Sequence, residues 1–183
     1  MLIMVADPVL VPVDRVDESV RRVLDEVNAK MSTYLQDSEV SRFNQQEATT
    51  PFAISPETIE VLREAERISK LTKGAFDVTI SPLVEAWGFG VGQAEEPPTP
   101  EIIALFMPRV GYDKLRIERH RSSIQKLHPQ LTIDLSAIAK GYAVDRVAMG
   151  LDTLGVQNYM IEIGGEIRTS GKKGEKDWKI GIE

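Results

Sequence analysis

The segment "NYMIEIGGEIRTSG", residues 158–171, constrains the fold more than any other stretch of the chain. Two strand-like runs are separated only by Gly164-Gly165, a pair that accepts the positive φ angles of a tight hairpin turn. So short a connection joins antiparallel neighbours, because a parallel pair needs a crossover of a dozen residues or more. "KLRIERHRSSIQKL" reads as a second hairpin, with its turn near His120 to Ser123. Helical periods stand beside these hairpins. Val16, Val20, Val23, Leu24, Val27 and Met31 recur at spacings of three and four, and Asp14 or Asp17 can cap that helix. A second helix opens at Ser55 with Pro56 in its first turn, turns Ile59, Leu62, Ala65 and Ile68 inward, and stops at Gly74. Residues 100–110 form a short helix closed by Gly111. "LTIDL" reads as a buried strand running into the helix "LSAIAKGYAVDRVAMGLDTLG", which Gly155 ends. "MLIMVADPVLVP" is a first strand, "DWKIGIE" begins a last one, and "STYLQDSEVSRFNQQEATTPFA" is a polar connector. Hairpins combined with helices give an α+β fold class, antiparallel sheets packed with helices.

At 183 residues the chain is long enough for one domain with a real core, so a single domain over 1–183 is expected. A content of 42% hydrophobic and 27% charged residues is that of a globular protein rather than a disordered one. The net charge of −6 argues against an electrostatic nucleic-acid partner. With no cysteine there is no disulfide, no thiolate zinc site and no cysteine nucleophile. No run approaches the ~20 apolar residues of a transmembrane segment. The apolar opening lacks the basic flank and cleavage site of a signal peptide.

Four constellations could carry chemistry. His120 and His128 flank a hairpin in a basic stretch; they read as surface turn residues, and their spacing is not that of a metal site. In "KGAFDVT", Asp77 either closes a turn through nearby backbone or accepts hydrogen bonds from a ligand beside the flat wall of Phe76. In "WGFG", two aromatics alternate with glycines, as loop anchors or as faces for a heterocycle. In "DLSAIAKGYAVDR", Ser136 can cap a helix whose first amides favour an anion, Lys140 adds a charge, and Gly141 opens the backbone. Phosphate binding is one reading of that helix start, without the spacing of a P-loop; a solvated lysine beside a packing glycine is the other. "IEIGGE" offers a similar glycine pair after a strand.

Taken in order, "MSTYLQDSEVSRFN", "TKGAFDVTISPLVEAWGFG", "IDLSAIAKGYAVDRV" and "YMIEIGGEIRTSG" resemble four successive blocks of the ApbE family of flavin transferases, the FAD:protein FMN transferases. The resemblance runs from about Met31 to the end of the chain. It implies a tunnelling-fold-like α+β domain built from two similar halves. It implies binding of FAD and Mg²⁺, cleavage of the FAD pyrophosphate, and transfer of FMN to a threonine or serine of a target flavoprotein with release of AMP. Matched by motif, Tyr34, Ala75, Phe76, Asp77, Lys140 and Arg146 would contact FAD, and Ala143 would offer its backbone carbonyl to the metal. Such enzymes are commonly lipoproteins on the periplasmic side of the inner membrane, although no signal or lipobox stands in this sequence.

The sequence also departs from the family pattern. "MLIMVADP" stands where a T-M-G-T block is expected. The family's histidine block, similar to H-I-I-D-P-x-T-G, and its Asp-x-x-[ST] element are not present. The expectation is therefore an N-terminal part of such an enzyme, cut within a strand pattern and inactive alone. Two other functions stay open beside it: a non-catalytic flavin-binding or partner-binding module, and an FAD pyrophosphatase releasing FMN and AMP to water.

Overall fold

The computed structural model describes residues 1–6, 11–89 and 96–181. Its elements run β1 (Leu2–Val5), α1 (Val13–Met31), α2 (Glu39–Gln45), β2 (Phe52–Ala53), α3 (Pro56–Leu71), α4 (Ser81–Ala86), α5 (Pro100–Phe106), β3 (Leu115–Glu118), β4 (Ser123–Lys126), α6 (Ser136–Thr153), β5 (Tyr159–Ile163), β6 (Glu166–Ser170), β7 (Lys172–Lys173) and β8 (Lys176–Asp177). The strands form three sheets, ordered β1-β5-β6, β2-β4-β3 and β7-β8, and every pairing among the described residues is antiparallel. The fold is α+β, as the hairpins require. The chain divides into two compact units, Met1–Asn28 with Ile138–Glu183, and Ala29–Ala137.

In the first unit β5 is the central strand, with Ile161 opposite Ile3 on one side and Arg168 on the other. The hinge of the β5–β6 hairpin is the glycine pair, at φ 60° for Gly164 and 97° for Gly165, values that a Cβ would oppose. Val20 and Val23 of α1, Val144, Val147, Ala148 and Leu151 of α6, and Tyr159 and Ile161 of β5 form one buried cluster. Neither Asp14 nor Asp17 caps α1. The helix starts one residue after Pro12, whose carbonyl accepts from Arg15 and Val16. Asp14 lies in the first turn, where its charge suits the helix dipole, and Asp17 pairs with Arg21 at 2.7 Å. The expected last strand is shorter than the sequence suggests: Lys176–Asp177 pairs with Lys172–Lys173, and residues 178–181 join no sheet.

In the second unit the supposed polar connector contains α2 and β2. Ser38 accepts from the Ser41 amide at 3.0 Å as the N-cap, and Val40 and Phe43 are fully buried. Seven residues complete only two turns, so two apolar positions are all the period that the sequence could display. α3 begins as expected with Ser55 as N-cap and Pro56 in the first turn; Ile59, Leu62 and Ala65 are buried, and Ile68 is half-buried. The β3–β4 hairpin turns through a 3₁₀ segment at Arg119–Arg121 and Ser122 at φ 44°.

One segment and one side chain of this unit stand out against the sequence. "LTIDL" buries Leu131, Ile133 and Leu135 completely, yet it is in no sheet, because the Asn44 side chain takes the place of a neighbouring strand. Lys126, in the second strand of the hairpin read from a polar, basic stretch, has no exposed area. Its ammonium donates to the carbonyls of Gln46 at 2.8 Å and Asn44 at 3.4 Å, at the end of α2, and lies 4.6 Å from the centre of the Phe43 ring. Burial pushes this ammonium below the ordinary lysine range.

Candidate functional site

The helix start that suggested phosphate binding is built differently from the expectation in one respect. α6 begins at Ser136, whose amide donates to Asp134 Oδ1 at 2.8 Å. Asp134, rather than Ser136, therefore supplies the capping oxygen. The following amides of the first turn have no intrahelical partner, as in any α-helix.

The two glycines of α6 are there for different reasons. A Cβ on Gly150 would stand 2.9 Å from Ser19 Oγ, so this glycine lets α6 approach α1 closely. A Cβ on Gly141 would meet nothing within 4 Å. Packing does not explain it. Of the two readings of Gly141 left open by the sequence, close helix packing loses its support, and an open backbone beside Lys140 remains.

Lys140 reaches from α6 to the β5–β6 turn. Its Nζ donates to the Gly164 carbonyl at 3.2 Å and lies 3.1 Å from Glu166 Oε1. The turn itself is braced by the Gly165 amide, which donates to Glu162 Oε1 at 2.8 Å. Arg146 does not share this location. Six residues on, its side chain leaves α6 about 120° around the axis from Lys140. It lines a groove of about 390 Å³ with Arg15, Arg22, Met149 and Thr153. Ala143 lies in mid-helix with 3% of its surface exposed. A carbonyl at that depth already accepts the amide four residues on.

In the other unit, Ala75, Phe76 and Asp77 follow the end of α3, where Lys73 and Gly74 both take positive φ and the Gly74 amide returns to the Ser69 carbonyl. Both oxygens of Asp77 are engaged by its own protein. Oδ1 accepts from the Thr79 amide at 2.8 Å and the Thr79 hydroxyl at 2.7 Å, and Oδ2 accepts from the Tyr112 amide at 2.8 Å. Thr79 Oγ1 in turn accepts from the Gly111 amide at 2.7 Å. Asp77 thus both closes a local turn and ties residues 77–79 to the loop at 111–112. Phe76 is half-buried and Ala75 exposed on the loop so fixed. Tyr34 is 79% exposed on a separate turn, in which Ser32 Oγ accepts from the amides of Tyr34 and Leu35.

Of the remaining candidates, Trp87 and Phe89 are exposed, Gly88 takes φ 78°, and Gly90 lies outside the described residues. His120 is exposed, and His128 Nδ1 accepts from the Gln130 amide, a turn contact. Among the described residues no three His, Cys, Asp or Glu side chains gather as a metal site. Sequence reasoning missed Asn44, Thr79 and Glu166. The first two act through backbone far away in sequence, and Glu166 drew no attention beside its two glycines.

The ApbE family model matches residues 2–183. An FAD:protein FMN transferase of Haemophilus influenzae is 49% identical over 175 residues, which cover 93% of this chain and 51% of that protein. The enzyme of the same description from Escherichia coli K12 is 32% identical over 170 residues, 91% of this chain and 48% of that protein. Among solved structures, the flavin transferase ApbE of Vibrio cholerae matches with a TM-score of 0.93 at 43% identity, covering 99% of this chain and 59% of that one. The apo form of the Pseudomonas stutzeri flavinyl transferase ApbE matches with a TM-score of 0.90 at 32% identity, over 98% and 60%. The chain spans about half the length of the curated relatives it matches. The match to the family model runs almost end to end, and this chain belongs to the ApbE family.

Proposed function

We propose that this chain carries FAD-binding residues of an FAD:protein FMN transferase. The observation that carries the reading is Lys140, held at the β5–β6 turn beside a helical glycine that no packing requires. In the proposed reaction the hydroxyl oxygen of a threonine or serine on a target flavoprotein bonds to the FMN phosphorus of FAD. The pyrophosphate P–O bond to the AMP moiety breaks, AMP leaves, and the hydroxyl loses its proton. Such transfers depend on charge screening and in-line placement more than on covalent help from the protein. Lys140 contributes a point charge for the diphosphate, and Gly141 leaves the backbone open to it. The family resemblance adds Phe76 and Tyr34 as FAD contacts, and the aromatic face of Phe76 suits a flavin or adenine ring.

Magnesium dependence belongs to the proposal through the family resemblance; bound Mg²⁺ would neutralise diphosphate charge. The described residues do not themselves fit that ion. Mg²⁺ wants six oxygens in near-ideal octahedral geometry, whereas Ala143 offers one carbonyl already engaged in a helix. No step is therefore assigned to residues of this chain through the metal. Reaction on the periplasmic face, with a lipoprotein anchor, rests on the resemblance alone; among the described residues no helix is long and apolar enough to cross a membrane. The test is titration with FAD, with and without Mg²⁺, followed by mass spectrometry of a candidate flavoprotein. Saturable FAD binding is the expected result, with no FMN phosphoester formed on the target by this chain alone, because the described residues do not hold Mg²⁺. Absence of FAD binding under both conditions would overturn the reading.

A further inference from the structure

We propose that the β5–β6 turn is the positioning device for Lys140, with Glu166 as its positioning residue. The inference rests on the reading of Lys140 as a diphosphate contact. An ammonium has three N–H donors. Here one is given to the Gly164 carbonyl at 3.2 Å and a second faces Glu166 Oε1 at 3.1 Å. The third is left for an oxygen of the FAD diphosphate.

Two independent features of the turn support this role. A Cβ on Gly164 would lie 3.1 Å from Lys140 Cδ and 3.7 Å from its Nζ, so the missing side chain makes room for the lysine stem. The turn also has a defined shape: Gly164 and Gly165 are both at positive φ, and the Gly165 amide donates to Glu162 Oε1. Glu166 then adds direction. Its Oε1 faces the ammonium, while its Oε2 is buried and has no hydrogen-bond partner among the described residues. A lysine side chain has many rotamers, and ordering it is a cost that a ligand otherwise bears on binding. Lys140 meets that cost in the fold, before the ligand arrives.

The test is a double-mutant cycle on FAD affinity in the full chain, with Lys140→Ala, Glu166→Ala and both together. Glu166→Ala should weaken FAD about tenfold when Lys140 is present, the scale of one well-placed charge-assisted hydrogen bond. On the Lys140→Ala background it should change affinity less than about twofold, because Glu166 acts only through the lysine. Glu166→Asp, which keeps the charge, should recover affinity to within about threefold of the wild type. Glu166→Gln, equal in size, serves as the neutral variant should Glu166→Ala fail to fold. Equal losses in both backgrounds, or none in either, would overturn the proposal. If Lys140→Ala leaves FAD affinity unchanged, the diphosphate reading falls, and the hold of the turn is read separately from the NMR order parameter of the Lys140 ε-methylene. A drop in that order parameter in Glu166→Gln supports the positioning role; an unchanged value overturns it.

Discussion

Asn44 and Ile133 exchange two hydrogen bonds across 89 residues of sequence: Asn44 Nδ2 donates to the Ile133 carbonyl at 2.9 Å, and the Ile133 amide donates to Asn44 Oδ1 at 2.8 Å. One side-chain amide thereby stands in for a strand. With the Asp134 amide donating to the Val78 carbonyl at 2.8 Å, it holds the extended segment that leads into α6. Asn44→Ala would leave both polar groups of the buried Ile133 backbone without this partner. We expect a loss of about 1–3 kcal/mol in stability, measured by urea denaturation. Asn44→Asp should cost at least as much, since a carboxylate cannot donate to the Ile133 carbonyl.

The glycines of α6 give opposite expectations. At Gly141 a methyl group meets open space, so Gly141→Ala should stabilise the protein by about 0.4–1 kcal/mol through the unfolded chain. At Gly150 a Cβ falls 2.9 Å from Ser19 Oγ, so Gly150→Ala should destabilise unless Ser19 is shortened too. Thermal melts of Gly141→Ala, Gly150→Ala and the pair Ser19→Ala with Gly150→Ala check both halves. FAD titration of Gly141→Ala completes the test. A protein that melts higher yet binds FAD more weakly supports ligand approach at this backbone, whereas unchanged binding leaves only a helical glycine.

Hairpin turns, long helices and most of their ends were legible in the sequence, because Gly, Ser and Pro act within a few residues of themselves. Ser55-Pro56 and Gly164-Gly165 did what their local chemistry dictates. What stayed hidden was non-local. α2 shows only two buried apolar residues, and "LTIDL" looks like a sheet strand until Asn44 is seen to complete it. The site shows the same division. Lys140 was visible as a charge beside a glycine, but its partner Glu166 lies across a turn. Arg146, grouped with Lys140 by motif, emerges on another face of the helix, because six residues are not a whole number of turns.

Lys126 predicts a dependence of stability on pH. Its folded-state pKa is lowered by burial, so the folded state gives up this proton before the unfolded chain does. Between the lowered folded value and the ordinary lysine value of 10.5, the unfolded state binds more protons, and stability due to this group rises with pH. The cost of the buried charge is fully present below the folded value and fades as pH approaches 10.5. Denaturation of the wild type and Lys126→Met from neutral to alkaline pH should show the wild type gaining on the variant. A constant difference would show that Lys126 stays charged throughout.

Asp77 is the last test, because it separates a ligand contact from a staple. Its carboxylate accepts from the Thr79 amide and hydroxyl and from the Tyr112 amide, and Thr79 accepts from Gly111. Asp77→Asn can keep one acceptor oxygen, but it sets an NH₂ group against a donor that the carboxylate satisfied. A stability loss of about 1–3 kcal/mol is expected, with weaker FAD binding because the loop bearing Phe76 is released. Asp77 and Lys140 share no hydrogen-bond partner, so Asp77→Asn and Lys140→Ala should combine within about 0.5 kcal/mol of additivity. Thr79→Val distinguishes the two roles. It removes the hydroxyl that links Asp77 to the Gly111 amide while leaving the carboxylate in place. If Asp77 works by holding the loop, Thr79→Val should weaken FAD binding in the same direction as Asp77→Asn. Full FAD affinity in Thr79→Val, beside a clear loss in Asp77→Asn, would make the carboxylate itself the contact.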